Sequence, residues 1–274
     1  MLWLLLLQVL ASCLWPGHSE VFSNFSGCPQ FFCGGIPPNN ALQPASPAWI
    51  CQRYKNRYRY ATLYDQALRI PVYSAYIYEP GSGNRSKTWF VEPQLIKANI
   101  SRQMETEFTL MKQYKYTLND IGANQAILQD YGNLTGLDRG HLCPSGHQNG
   151  SDSRASTFTL TNIVPQNKDL NGGTWNIYES RTMAAQVVGC DTTYVITGAV
   201  PGNMKVRNRV SIPSYIWSAA CCLVGTRPTK AWGVIVRNNM NNSFPLLTLG
   251  QLETDLTRHY NGIQVTLFHS ACPR

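Results

Sequence analysis

Asp138-Arg139-Gly140-His141, then Thr161-Asn162-Ile163-Val164-Pro165-Gln166, then Asp169-Leu170-Asn171 with Trp175 and Glu179 fall in one stretch of the chain. An imidazole, a guanidinium, an amide oxygen and a carboxylate are gathered there, a set suited to hydrolysis of a phosphodiester with one metal ion. That bond resists attack because its charged oxygens repel incoming hydroxide. A catalyst must therefore make a nucleophile, neutralise the developing charge and stabilise the leaving oxygen. A neutral imidazole near its ordinary pKa takes a proton from water at physiological pH, which suits His141, and Gly140 beside it permits close backbone approach. Asn171 offers a neutral hard oxygen of the kind that suits Mg²⁺ held mostly by waters and substrate. In a straight helix Glu179 would stand about 80° round and about 12 Å along the axis from Asn171, so it is expected to act on the metal through water. Read as structure alone, His141 is a loop histidine, Asn171 caps a helix over 172–188 and Glu179 is a solvated surface charge.

The chain around this stretch reads as a sheet protein. Residues 57–64 alternate with the strand period, turn at 65–68 and return over 70–78, predicting a hairpin. Three more strands are expected over 193–198, 215–224 and 230–236, rich in β-branched and aromatic residues. Thr248 and Gln251 fit a capping box for a helix through His259, with Leu249, Leu252 and Leu256 on one face. The whole predicts an α+β protein with the motif helix packed on the sheet. Arg53, Lys55, Arg57 and Arg59 interleave with Tyr54, Tyr58 and Tyr60, which suits either phosphate and base contacts or a half-exposed strand.

At 274 residues and 43% apolar, the chain can bury one large core, and a net charge of +8 attracts polyanions without naming one. The apolar run from Leu2 to Ala11, followed by Pro16, Gly17 and Ser19, predicts a signal peptide over 1–19. Residues 20–50, rich in Gly, Pro and Asn, read as a disulfide-tied arm, and 51–274 as a single domain. Nine cysteines are present; losing Cys13 with the signal leaves an even number, predicting four bridges in an oxidising compartment. Adjacent Cys221 and Cys222 point to opposite faces of a strand, so different partners are expected. Sequons at Asn24, Asn84, Asn99, Asn133, Asn149 and Asn241 would mark surface positions of an exported chain. No run after the first is long enough to span a membrane, which predicts a secreted, extracellular protein. A zinc site from His141, Cys143 and His147 lacks an evident fourth ligand, and oxidising conditions favour a disulfide for Cys143.

In order and spacing, the 138–179 motifs resemble the DNA/RNA non-specific endonucleases of the ββα-metal (His-Me finger) class. Cys51-Gln52-Arg53-Tyr54 through Tyr76 is similar to the exported endonuclease-domain-containing members of that group. The resemblance covers roughly residues 50–270. It implies a central antiparallel sheet flanked by helices, with a ββα-metal motif at the site. It further implies His141 as general base, Asn171 as the direct Mg²⁺ ligand, Glu179 as orienter of metal-bound water, Arg139 near the phosphate path and Asn162 as a positioning residue. Mn²⁺ and Ca²⁺ are the alternative ions. A family arginine precedes a tryptophan, and here Arg85 and Lys87 both precede Trp89; lysine is the poorer bidentate clamp, and a glycan on Asn84 would crowd Arg85. The implied partners are DNA and RNA, held through phosphates. The competing expectation is a catalytically silent relative that keeps the fold and basic surface to bind polyanions or a protein partner. A disulfide-rich lectin-like module rests on the cysteines and sequons alone.

Overall fold

The computed structural model describes residues 20–240 and 243–274. The segment read as a signal peptide and the sequon at Asn241 lie outside the described residues. The strands are β1 (Val21–Phe22), β2 (Pro47–Tyr54), β3 (Arg57–Asp65), β4 (Ile70–Ile77), β5 (Leu137–His141), β6 (Ile163–Asn167), β7 (Thr192–Val200), β8 (Lys205–Val206), β9 (Val210–Ser211), β10 (Tyr215–Val224) and β11 (Arg227–Arg237), of which β3, β4, β7, β10 and β11 lie where the period of two was read. Seven of them make one sheet in the order β1-β2-β3-β4-β7-β10-β11, antiparallel at every pairing. The expected β3–β4 hairpin is present, its turn set by Asp65 Oδ1 accepting from the amides of Ala67 (2.9 Å) and Leu68 (3.0 Å).

Because successive side chains leave a strand on opposite sides, each inner strand feeds two cores. From β10, Ile216, Ala220 and Cys222 join a cluster with Leu142, Leu160, Trp175 and Tyr178. Trp217, Ala219 and Cys221 join another with Phe32, Leu252, Leu256 and Phe268. The first cluster carries β5, β6 and the helical segments after them, and is called here the site face. The second carries the N-terminal arm, the helix Leu249–His259 and the C-terminal tail, and is the arm face. Trp217 lies flat on its cross-strand partner Gly198, where a Cβ would stand 2.2 Å from the indole ring. The helix Leu249–His259 starts as expected, with Thr248 and Gln251 satisfying each other's backbone amides and Leu249, Leu252 and Leu256 buried.

Three disulfides are present among the described residues, Cys28–Cys51, Cys190–Cys222 and Cys221–Cys272. Cys222 is bridged on the site face and Cys221 on the arm face, as strand alternation requires. The expectation of four bridges is corrected: Cys33 and Cys143 are buried free thiols. They belong to different core clusters on opposite faces, so they cannot meet. Cys33 Sγ instead lies 3.7 Å from Cys272 Sγ, beside a bridge already made.

Candidate active site

β5 and β6 form a separate two-stranded ribbon in which His141 pairs with Ile163 and Gly140 with Val164. A Cβ on Gly140 would lie 2.1 Å from Gln166 Oε1. Glycine is needed there for the neighbouring Gln166 side chain rather than for an incoming ligand. The chain then enters the helical segments Lys168–Gly172 and Thr174–Ile177, a π-helical turn Tyr178–Thr182 and Met183–Gln186.

The purely structural readings of Asn171 and Glu179, and straight-helix geometry between them, do not hold. Asn167, not Asn171, caps the first helix, its side chain accepting from the Leu170 amide at 3.0 Å. The run also breaks at Gly173 (φ −103°, ψ −116°), so straight-helix geometry does not hold between Asn171 and Glu179. Glu179 is no surface charge either: its Oε1 accepts from Trp175 Nε1 at 2.9 Å. Burial pushes its carboxyl up to about 8, with the Trp175 hydrogen bond acting against that rise.

One cavity of about 540 Å³ collects Arg85, Arg139, His141, Asn171 and Glu179 in its lining. His141 packs against Phe158 and Trp89, with ring centroids at 4.8 and 5.6 Å, and those two rings also touch each other at 5.1 Å. Its ring hydrogen-bonds the Arg139 backbone, while Nε2 is enclosed without a partner. The carbonyl of Arg139 can only accept, so Nδ1 carries the proton and Nε2 keeps its lone pair. Burial, and secondarily the Arg85 charge, pull this imidazole down to about 3, so it is neutral at physiological pH. Arg139 lies 4.8 Å from the Trp89 ring centroid, its own value lowered by burial. Asn171 leans Nδ2 toward Asp138 Oδ2 at 3.4 Å, which turns its amide oxygen away from that carboxylate.

Asn162 is beneath the cavity rather than in its wall. Its Oδ1 accepts from the Cys143 amide and the Ser74 hydroxyl (2.9 Å each), and its Nδ2 donates to the carbonyls of Cys143 (3.0 Å) and Thr157 (2.9 Å). It clamps the loop that follows His141. Of the two candidate cations before Trp89, Arg85 lines the cavity and Lys87 does not. Zinc ligation by His141, Cys143 and His147 is not assembled: His147 is committed to Glu179 O through Nε2 (2.9 Å) and to the Tyr76 hydroxyl through Nδ1 (2.9 Å).

Sequence reasoning missed Arg154, and considered His147 only as a zinc candidate. Arg154 lines the cavity from the helix Ser151–Ser156, its guanidinium donating to Gly81 O at 3.0 Å. Nothing in its sequence context singled it out. His147 holds the π-helical turn that presents Glu179, and burial pulls its imidazole down to about 4. Such turns recur at functional sites. The Arg/Tyr stripe divides between its two readings. Lys55 and Asn56 form a turn at positive φ, and Tyr60 is core, its hydroxyl on Ser156 O at 3.0 Å. Lys55 and Arg59 pair with Asp152 on the Arg154 helix at the cavity rim.

The model of the DNA/RNA non-specific endonuclease family matches residues 37–267. Over 219 residues the chain is 33% identical to the human Endonuclease domain-containing 1 protein, covering 78% of this chain and 42% of that one. The human mitochondrial nuclease EXOG is 26% identical over 223 residues, covering 74% of this chain and 54% of that one. This chain thus spans less than two thirds of the length of the curated relatives it matches. Among solved structures, a chain of the EndoG/EndoGI complex superposes with a TM-score of 0.52 at 17% identity, covering 77% of this chain and 84% of its own. At that identity the likeness concerns the fold, a central antiparallel sheet with flanking helices.

Proposed function

The chain belongs to the DNA/RNA non-specific endonuclease family, and from that membership and the cavity we propose that it is an exported, Mg²⁺-dependent endonuclease cleaving DNA and RNA. The observation that carries this reading is His141 Nε2, an unpartnered base in a wall shared with three guanidiniums, Arg85, Arg139 and Arg154, and with the oxygen-bearing side chains of Asn171 and Glu179.

His141 takes the proton of the attacking water on Nε2, while the Arg139 carbonyl holds the ring in the tautomer that leaves this nitrogen open. Trp89 and Phe158 keep the imidazole dry and neutral. Arg85 and Arg139 neutralise the charge growing on the phosphate oxygens. Sequence discrimination is weak, since phosphates rather than base edges are engaged.

The residues fit a hard divalent cation. Glu179 is a part-buried carboxyl whose ionised form is disfavoured, and Asn171 presents a neutral amide oxygen in the same cavity. Asn171 would hold the ion directly and Glu179 through water, and the ion when bound would supply charge neutralisation at the phosphate and leaving oxygen. The three disulfides support export, as do five sequons whose asparagines are exposed, Asn24, Asn84, Asn99, Asn133 and Asn149.

The purified protein is expected to degrade plasmid DNA and RNA with Mg²⁺ and to stop in EDTA. His141→Ala is expected to lower the rate by about 10²–10⁴-fold. Undiminished cleavage by that variant overturns the mechanism. Salt-sensitive DNA binding without turnover under any divalent ion would assign the chain to a silent polyanion-binding role instead.

A further inference from the structure

At the outer edge of the sheet, where β1 pairs with β2, two acidic side chains are shut inside the protein. Glu20 and Glu92 are both 0% exposed. Neither carboxyl oxygen of Glu20 has a hydrogen-bond partner, nor does Glu92 Oε2. Glu92 Oε1 is occupied, accepting the hydroxyls of Thr159 (2.7 Å) and Thr161 (2.8 Å). The Glu20 carboxyl is held well above the usual range, by burial first and then by Glu92, through its charge and through side-chain contact between the two carboxyls, with Arg53 acting in the other direction. Enclosed carboxylates are costly unless a counter-charge offsets them.

The backbone nitrogen of Glu20, on the same residue as one of these carboxyls, is itself hydrogen-bonded inside the protein. It donates to Gln94 Oε1 at 2.7 Å, and the Val21 amide donates to the same oxygen at 2.9 Å. Gln94 is itself anchored through Nε2 to Ala98 O at 2.9 Å. In the sequence, Gly17-His18-Ser19 precede Glu20, placing small residues first and third before that bond, as signal cleavage requires.

We propose that the Ser19–Glu20 bond is a processing site and that the α-ammonium group freed on Glu20 is the counter-charge of the Glu20–Glu92 carboxyl pair. An export-signal peptidase would hydrolyse the bond. The water oxygen joins the Ser19 carbonyl carbon as the C–N bond breaks, leaving a carboxylate there, and both water hydrogens end on the Glu20 nitrogen. The resulting ammonium keeps its hydrogen bond to Gln94 and brings two further donors into an enclosure whose acidic oxygens lack them. Glu92 in turn orders Thr159 and Thr161, next to the Asn162 clamp behind His141. The seated terminus thereby braces the loop that carries the candidate base. None of this depends on the chain being a nuclease.

The test uses the secreted protein. Intact mass and terminal sequencing are expected to show a chain beginning at Glu20 with a free amino group. A chain carrying one extra glycine before Glu20 is expected to melt about 5 °C lower, because the amide that replaces the ammonium keeps the Gln94 bond but loses the charge. That difference is expected to shrink by at least half in Glu92→Gln and in Glu20→Gln, two independent backgrounds. A terminus elsewhere, or a mass short by one water from a cyclised glutamate, overturns the proposal. So does equal melting with and without the glycine, or an undiminished glycine effect in both backgrounds. Stabilisation of the wild-type chain by Ca²⁺ that Glu92→Gln abolishes would also overturn it, by assigning the enclosure to a metal ion.

Discussion

The two faces of the central sheet come from the same strands but are built by opposite rules. The arm face is dry: Leu249, Leu252, Leu256, Phe268 and Trp217 are buried, and Cys28–Cys51 and Cys221–Cys272 tie the arm and tail to the strands. On the site face, His141, His147 and Glu179 are held away from their ordinary titration ranges, and His141 Nε2 has no partner. The contrast teaches that the rigid face supplies stability and the other uses it to hold unfavourable groups where chemistry needs them. Damage to the first should appear in stability and damage to the second in rate.

After His141→Ala, Arg85→Ala gives the next largest expected effect, a fall in cleavage rate of about 10²–10³-fold with little change in melting. Lys87→Ala should stay within about twofold, since its side chain is not in the cavity wall. Equal losses in the two variants, read from plasmid nicking, would erase the distinction between them.

Opening the Cys221–Cys272 bridge by paired Cys→Ala substitution should cost about 3 kcal/mol of unfolding free energy in urea titrations, for a loop of 51 residues. Cleavage per folded molecule should be unchanged. A loss of rate at full folding would mean that the faces are coupled rather than divided in labour.

The last effect is a pH dependence. His147 is pulled down to about 4 in the folded chain, against about 6.5 when unfolded. Between those values the unfolded chain binds the extra proton and the folded one does not. Stability present above pH 6.5 is therefore lost as pH falls toward 4. Glu179, pushed up to about 8, has the opposite sign, losing stability as pH rises from about 4.5 to 8, so the acid side is where the His147 effect is read. His147→Gln should remove about 3 kcal/mol of the acid-side loss, measured as melting against pH. Parallel curves for variant and wild type would show that His147 is not the group responsible.

Much of this architecture was legible because local rules were not overridden. Alternation placed β3, β4, β7, β10 and β11, and the reciprocal Thr248–Gln251 pattern placed the C-terminal helix. His141, Arg139, Asn171 and Glu179 do meet in one cavity. Other features were not legible because they depend on contacts between distant segments. Asn167 took the cap assigned to Asn171 because β6 runs directly into the helix there. Arg154 came to the rim because its helix packs beside the Gly81 loop, and no spacing rule links positions so far apart.

The sequence by itself determined which residues were candidates for the chemistry and which segments of the later chain would be strands, because side-chain type and a two-residue period are local properties. Only the tertiary structure decided the disulfide partners, the preference for Arg85 over Lys87 in the cavity wall, and the burial of Glu179. Each of these is a distance between segments far apart in the chain, set by how two apolar faces close on one sheet.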